Sequence, residues 1–125
     1  MHFPLNANNG TPIFEQIARQ VTFAVADGRL AAGECVPSIR QLAEDLAVNP
    51  NTVAKAYRDL QGDGVLEPIR GTGLAVTADA PKLCRAARRD AVRSRLRDAL
   101  QELRSLNVEA DDVRTEVERE LKRWK

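Results

Sequence analysis

Two short apolar stripes, set only a few residues apart, constrain this chain more than any other feature. Ile39, Leu42, Ala43 and Leu46 stand at offsets 0, 3, 4 and 7, and Val53, Ala56, Tyr57 and Leu60 repeat those offsets. Each set lines one face of an α-helix. Ser38 before the first stripe, with Gln41 three residues on, has the capping-box form. Asn49 before the second is a good N-cap, with Pro50 at the first helical position. Ala47-Val48 turns the chain, and Gly62 and Gly64 end the second of these helices. The connection is too short for long antiparallel overlap, so the two helices cross steeply around a small shared core. That is a helix-turn-helix.

The flanks extend the pattern. Thr11 caps an earlier helix with Pro12 at its first position, and Ile13, Ile17, Val21 and Ala24/Val25 form its stripe. Asp27-Gly28 closes it, and residues 29–37 are a connector with a turn at Gly33. Residues 65–77 place apolar runs on either side of Arg70-Gly71-Thr72-Gly73, which reads as a β-hairpin with Pro68 on an edge strand. A helix-turn-helix followed by a hairpin is a winged helix. After a break at 78–81 come two amphipathic stretches, about 82–106 and 109–125. Val92, Leu96, Ala99, Leu100 and Leu103 lie on one face of the first, and Val113, Val117, Leu121 and Trp124 on one face of the second. The expected fold is mainly α (α+β). A winged helix-turn-helix domain spans residues 1–78, and a two-helix tail spans 79–125. The tail is too short to build a core alone, so it is expected to pair with a second copy through Val92, Leu96, Leu100, Leu103, Val113, Val117, Leu121 and Trp124.

Composition excludes more than it selects. Aromatic residues are only 4% of the 125, which favours thin helical layers over a deep β-sandwich. Cys35 and Cys84 are far apart, and His2 is the only histidine. No zinc cluster, catalytic Cys/His pair or cofactor loop is expected, so the chain reads as no enzyme, with no metal and no cofactor. No apolar run reaches membrane-spanning length and no charged-then-apolar leader opens the sequence, so a cytoplasmic location is expected.

The polar opening of the third helix asks for a polar partner. Asn49, Asn51 and Thr52 occupy the turn that enters a major groove in helix-turn-helix proteins. Asparagine pairs with adenine and threonine with base or phosphate. Ser38 and the amides after it suit a phosphate, Arg40 can reach a guanine edge, and Lys55 and Arg58 lie off the apolar stripe. The expected DNA-contacting set is Ser38, Arg40, Gln41, Asn49, Asn51, Thr52, Lys55, Tyr57 and Arg58, with Arg70, Gly71, Thr72 and Gly73 in the wing. Net charge is +1, but residues 1–80 carry 6 cationic and 9 acidic residues, against 13 and 9 in residues 81–125. The acids of the first part must therefore be segregated. Glu44, Asp45, Asp59, Asp63 and Glu67 all fall late in their helices or beyond them. A winged-helix module that binds protein instead of DNA is the alternative.

These residues resemble a known family. The pieces G-x-x-V-P-S-I-R-x-L-A (33–43), V-N-P-N-T-V-x-K-A-Y-x-x-L (48–60) and the G-x-G of the wing are similar to the N-terminal winged-helix domain of GntR-type bacterial transcription regulators. The likeness runs from about Pro12 to Val76. The short two-helix tail is similar to the YtrA-like branch. The resemblance implies a homodimeric repressor on double-stranded DNA with an inverted-repeat operator. It also implies base contacts from Arg40, Asn49, Asn51 and Thr52, a wing tip in the minor groove, and control of an ABC-type transporter operon. Two facing tails could enclose a cleft for a small-molecule effector, although nothing in the sequence marks its lining.

Overall fold

Pro12, not Thr11, heads the first helix. In the computed structural model, which describes residues 4–6, 10–71 and 73–124, the Pro12 carbonyl accepts from the amides of Glu15 and Gln16, both at 3.1 Å. Helix α1 then runs Ile13–Ala26. The expected Thr11 cap is displaced because Gln16 is buried at 5% exposure and its amide must be satisfied. Gln16 Nε2 donates to the carbonyls of Thr11 (2.8 Å) and Asn6 (2.7 Å), and Gln16 Oε1 accepts from the Asn6 amide at 2.9 Å. Thr11 is thus drawn into a clip that holds the preceding strand of chain against α1.

Helices α2 (Ile39–Leu46) and α3 (Pro50–Gly62) form where the stripes place them. The turn between them rests on Ala47, which stands in left-handed backbone at φ 55. Leu42, Ala43, Val53, Ala56, Tyr57 and Leu60 are buried with Ile17, Val21, Ala24 and Val25 of α1. Ile39 departs from its stripe at 38% exposure, because it stands at the leading end of α2, beyond the edge of this core.

The hairpin forms from β1 (Leu66–Pro68) and β2 (Leu74–Val76), antiparallel, with Leu66 opposite Val76 and Pro68 opposite Leu74. Pro68 lies on the outer strand, where a missing N–H costs least. The other edge of β2 is also paired. The Val36 amide donates to the Leu74 carbonyl at 3.0 Å, and the Val76 amide to the Glu34 carbonyl at 2.9 Å, around a bridge between Cys35 and Ala75. The segment read as a plain connector therefore supplies a third short strand-like pairing that ties the wing to the helical core. Cys35 on it is exposed, whereas Cys84 is buried. Burial, then the neighbouring Asp63 carboxylate, pushes the Cys84 thiol's pKa up.

Helix α4 runs Ala80–Ser105 and α5 runs Ala110–Leu121. The chain divides into two compact units, residues 1–89 and 90–125, so the division falls inside α4. Its first turns join the first unit, with Ala80 and Cys84 fully buried there. In the second unit, Asn107 in left-handed backbone at φ 61 turns the chain between the helices, which make little contact with each other along their lengths. Val92, Leu96, Leu100, Val117, Leu121 and Trp124 are exposed, while Leu103 and Val113 beside the turn are half-buried.

Candidate nucleic-acid interface

The interface is built on two helix starts. Ser38 adopts extended backbone (φ −61, ψ 159), and its Oγ accepts the Gln41 amide at 3.0 Å. Only half of the capping box forms. Gln41 turns its side chain down the helix, and Nε2 donates to Asp45 Oδ1 at 2.8 Å. This withdraws the Gln41 amide from the contact set in the free protein and ties up the nearest late-helix acid.

At the second start, Asn49 Oδ1 accepts the Asn51 amide at 2.8 Å, and its own carbonyl accepts the Thr52 amide at 2.9 Å. With one lone pair of Oδ1 engaged by the cap and Nδ2 still open, Asn49 is less available to a base edge than a wholly unengaged amide. Asn51 offers one. It is exposed, and its side-chain amide has no partner among the described residues. Thr52 is half-buried. The first turns of α2 and α3 contain no acid, so the segregation of charge expected from the sequence holds where a phosphate would approach.

Tyr57 does not belong to this surface. It is 2% exposed, and its hydroxyl donates to the Pro37 carbonyl at 2.8 Å. Burial holds the phenol's pKa far above its ordinary value. The reason is its stripe position, which carries the ring into the core. Its effect is to fasten the start of α2 to the middle of α3, so that Ser38 and Arg40 are held in register with the recognition helix. A tyrosine at an apolar-stripe position is the signal that could have shown its burial.

Arg40 and Arg58 are exposed, with no ion pair or hydrogen bond among the described residues. Lys55 is engaged within the fold, its Nζ lying 4.0 Å over the Phe14 ring of α1. Such a contact contributes about 0.5–1 kcal/mol at an exposed site and leaves Lys55 as a steered charge, not a free one. In the wing, Gly71 (φ 101) and Gly73 (φ 92) occupy left-handed backbone, where a side chain is strained. The Ile69 amide closes the turn on the Gly73 carbonyl at 3.2 Å. Arg70 is exposed at the tip. Thr72 lies outside the described residues.

This architecture has close counterparts. The family model for bacterial regulatory proteins of the gntR family matches residues 13–76. The chain is 31% identical over 109 residues to the HTH-type transcriptional repressor YtrA of Bacillus subtilis, covering 87% of this chain and 84% of that one. Among solved structures, a GntR family transcriptional regulator from Listeria monocytogenes superposes with a TM-score of 0.77 at 26% identity, over 90% of this chain and 97% of the other. YtrA from Sulfolobus acidocaldarius, a GntR-family transcription factor, gives 0.60 at 32% identity, over 79% and 97%. With half its length matched by the family model and most of it by a repressor of that family, this chain belongs to the gntR family of bacterial regulatory proteins.

Proposed function

We infer that this chain is a sequence-specific repressor that binds an inverted-repeat DNA operator as a homodimer. The observation that carries this reading is the pairing of two acid-free helix starts with uncommitted reading groups, Arg40 on α2 and Asn51 on α3. Phosphates are held by helix-start amides and by Arg58, and base edges are read by Arg40 and Asn51. Arg70 at the wing tip supplies a minor-groove contact. Residues 1–78 read DNA, and the tail from residue 79 on pairs two copies through its part beyond Arg89, setting the recognition helices about 34 Å apart. Regulation of an ABC-type transporter operon, in the cytoplasm, belongs to this reading through the resemblance to the YtrA-like branch. None of the described helices is long and apolar enough to cross a membrane.

The test is a selection of bound duplexes from a random-sequence pool, run with the wild type and with Arg40→Ala. The expected result is enrichment of an inverted repeat, lost or blurred in the variant, with a cost on the order of 1–3 kcal/mol in specific affinity. A folded wild type that enriches nothing would overturn the reading and favour a protein partner for the polar head of α3.

A further inference from the structure

The outward face of α3 is lined by Asn51, Lys55 and Arg58, at offsets 0, 4 and 7, opposite the buried Val53, Ala56, Tyr57 and Leu60. Four residues advance a helix by about 6 Å, so Lys55 stands one turn beyond Asn51. Among the described residues it is the one member of this row whose side-chain head is engaged by another element. Its Nζ lies 4.0 Å from the centroid of the Phe14 ring, in the first turn of α1. Phe14 is half-buried and packs against the hydrophobic core, so the fold, and not the lysine, fixes the ring. None of the ion pairs among the described residues includes Lys55. Its charge is therefore held without being neutralised. A carboxylate in the ring's place would cancel the charge that a phosphate needs. An aromatic face attracts the ammonium through its quadrupole and leaves the charge whole. A lysine side chain otherwise carries one of the largest rotamer entropies, and gripping a phosphate gives that freedom up.

We propose that Phe14 is a positioning residue for DNA binding, its ring holding the Lys55 ammonium on the outward face of α3 ready for a backbone phosphate. Nζ carries three donors, and the ring covers one side of the group, so N–H groups remain for phosphate oxygens. The lysine is ordered in the free protein, and less freedom is then lost on binding. This contact reads no sequence, because a phosphate carries none. Lys55 adds affinity beside Asn51, whose amide meets a base edge. Phe14 itself touches no DNA and acts through Lys55. The inference rests on the DNA-binding reading above and adds to it a phosphate contact and the side chain that prepares it.

The test titrates a fluorescent random-sequence duplex, at several salt concentrations, with full-length wild type, Phe14→Leu, Lys55→Met and the double variant. Lys55→Met keeps most of the stem and removes the charge. It should weaken binding and make the log–log salt slope shallower by about one per bound subunit. Phe14→Leu should weaken binding about two- to fivefold per bound subunit, the worth of an exposed cation–π contact. Its slope should stay that of the wild type, since Lys55 still reaches the phosphate. Added to Lys55→Met, Phe14→Leu should change nothing, and Phe14→Tyr should bind as the wild type does. An equal loss from Phe14→Leu in both backgrounds would assign the ring to packing alone and overturn the inference. Tighter binding by Phe14→Leu, the mark of a ring that keeps the lysine off DNA, would also overturn it, as would an unaltered slope for Lys55→Met. A wild type that binds no duplex would overturn the DNA-binding reading itself, and this inference with it. Circular dichroism of each variant separates loss of binding from loss of fold.

Discussion

At the residue scale, the division of labour among neighbouring polar groups is set by what each has already spent. Asn49 holds its side chain on the helix through one hydrogen bond to Oδ1, and the Asn51 side chain is engaged with none of the described residues. Asn51→Ala is therefore expected to lower affinity for the preferred duplex by about 1–3 kcal/mol while changing random-duplex binding little. Binding isotherms on both duplexes check this, and an equal loss on each would move Asn51 to the phosphate contacts. Tyr57 makes the opposite case, a polar group wholly spent inside the fold. Tyr57→Phe should cost about 1 kcal/mol of stability in thermal or urea unfolding, through the orphaned Pro37 carbonyl. The native state keeps its phenol protonated after the unfolded chain has begun to ionise near pH 10. More protons are then bound in the native state, so the Tyr57 contribution is complete below about pH 10 and falls as pH rises above it. The phenylalanine variant should lack this part of the alkaline decline.

At the scale of elements, the turn between α2 and α3 carries the strain. Ala47 sits at φ 55 and ψ 46, a region that costs an L-residue on the order of 1–2 kcal/mol. The position is fixed because the Val48 amide returns to the Ala43 carbonyl at 3.0 Å, which closes α2 in the space available before Asn49. Ala47→Gly should raise stability by up to about 1 kcal/mol, net of the greater freedom that glycine gives the unfolded chain. An unchanged or lower melting temperature would show that the methyl group contributes packing that outweighs the strain. The wing makes its turn with glycines instead, and it is anchored on its inner edge by the Glu34–Val36 pairing to β2. The tip is thereby carried on a sheet joined to the helical core.

At the scale of the whole molecule, the tail carries the exposed apolar stripes that the proposed homodimer would bury. Leu100, on α4, is 41% exposed, and Trp124, just past the end of α5, is 74% exposed. Leu100→Asp is expected to weaken the dimer at least tenfold, because the charge would enter the paired stripe. Weaker operator binding should follow, since two half-sites are then held by separate molecules. Ultracentrifugation and operator titration together check this, and a dimer of unchanged affinity would remove Leu100 from the seam.

What the sequence determined by itself was whatever depends on local period and local chemistry. The stripes of α1, α2 and α3, the Ser38 and Asn49 caps, the Gly71 and Gly73 turn and the edge position of Pro68 follow from 3.6-residue spacing, capping preference and backbone sterics. Most of the candidate interface was legible for the same reason. What only the tertiary structure decided involves groups brought together from afar. Tyr57 meets Pro37, Lys55 meets Phe14, Glu34–Val36 pairs with β2, and Gln16 draws in Asn6 and Thr11. In each, a polar group's partner lies outside its own helix or turn. Hydrogen-bond satisfaction in a closed core is a property of the packed chain, and residue spacing carries no record of it.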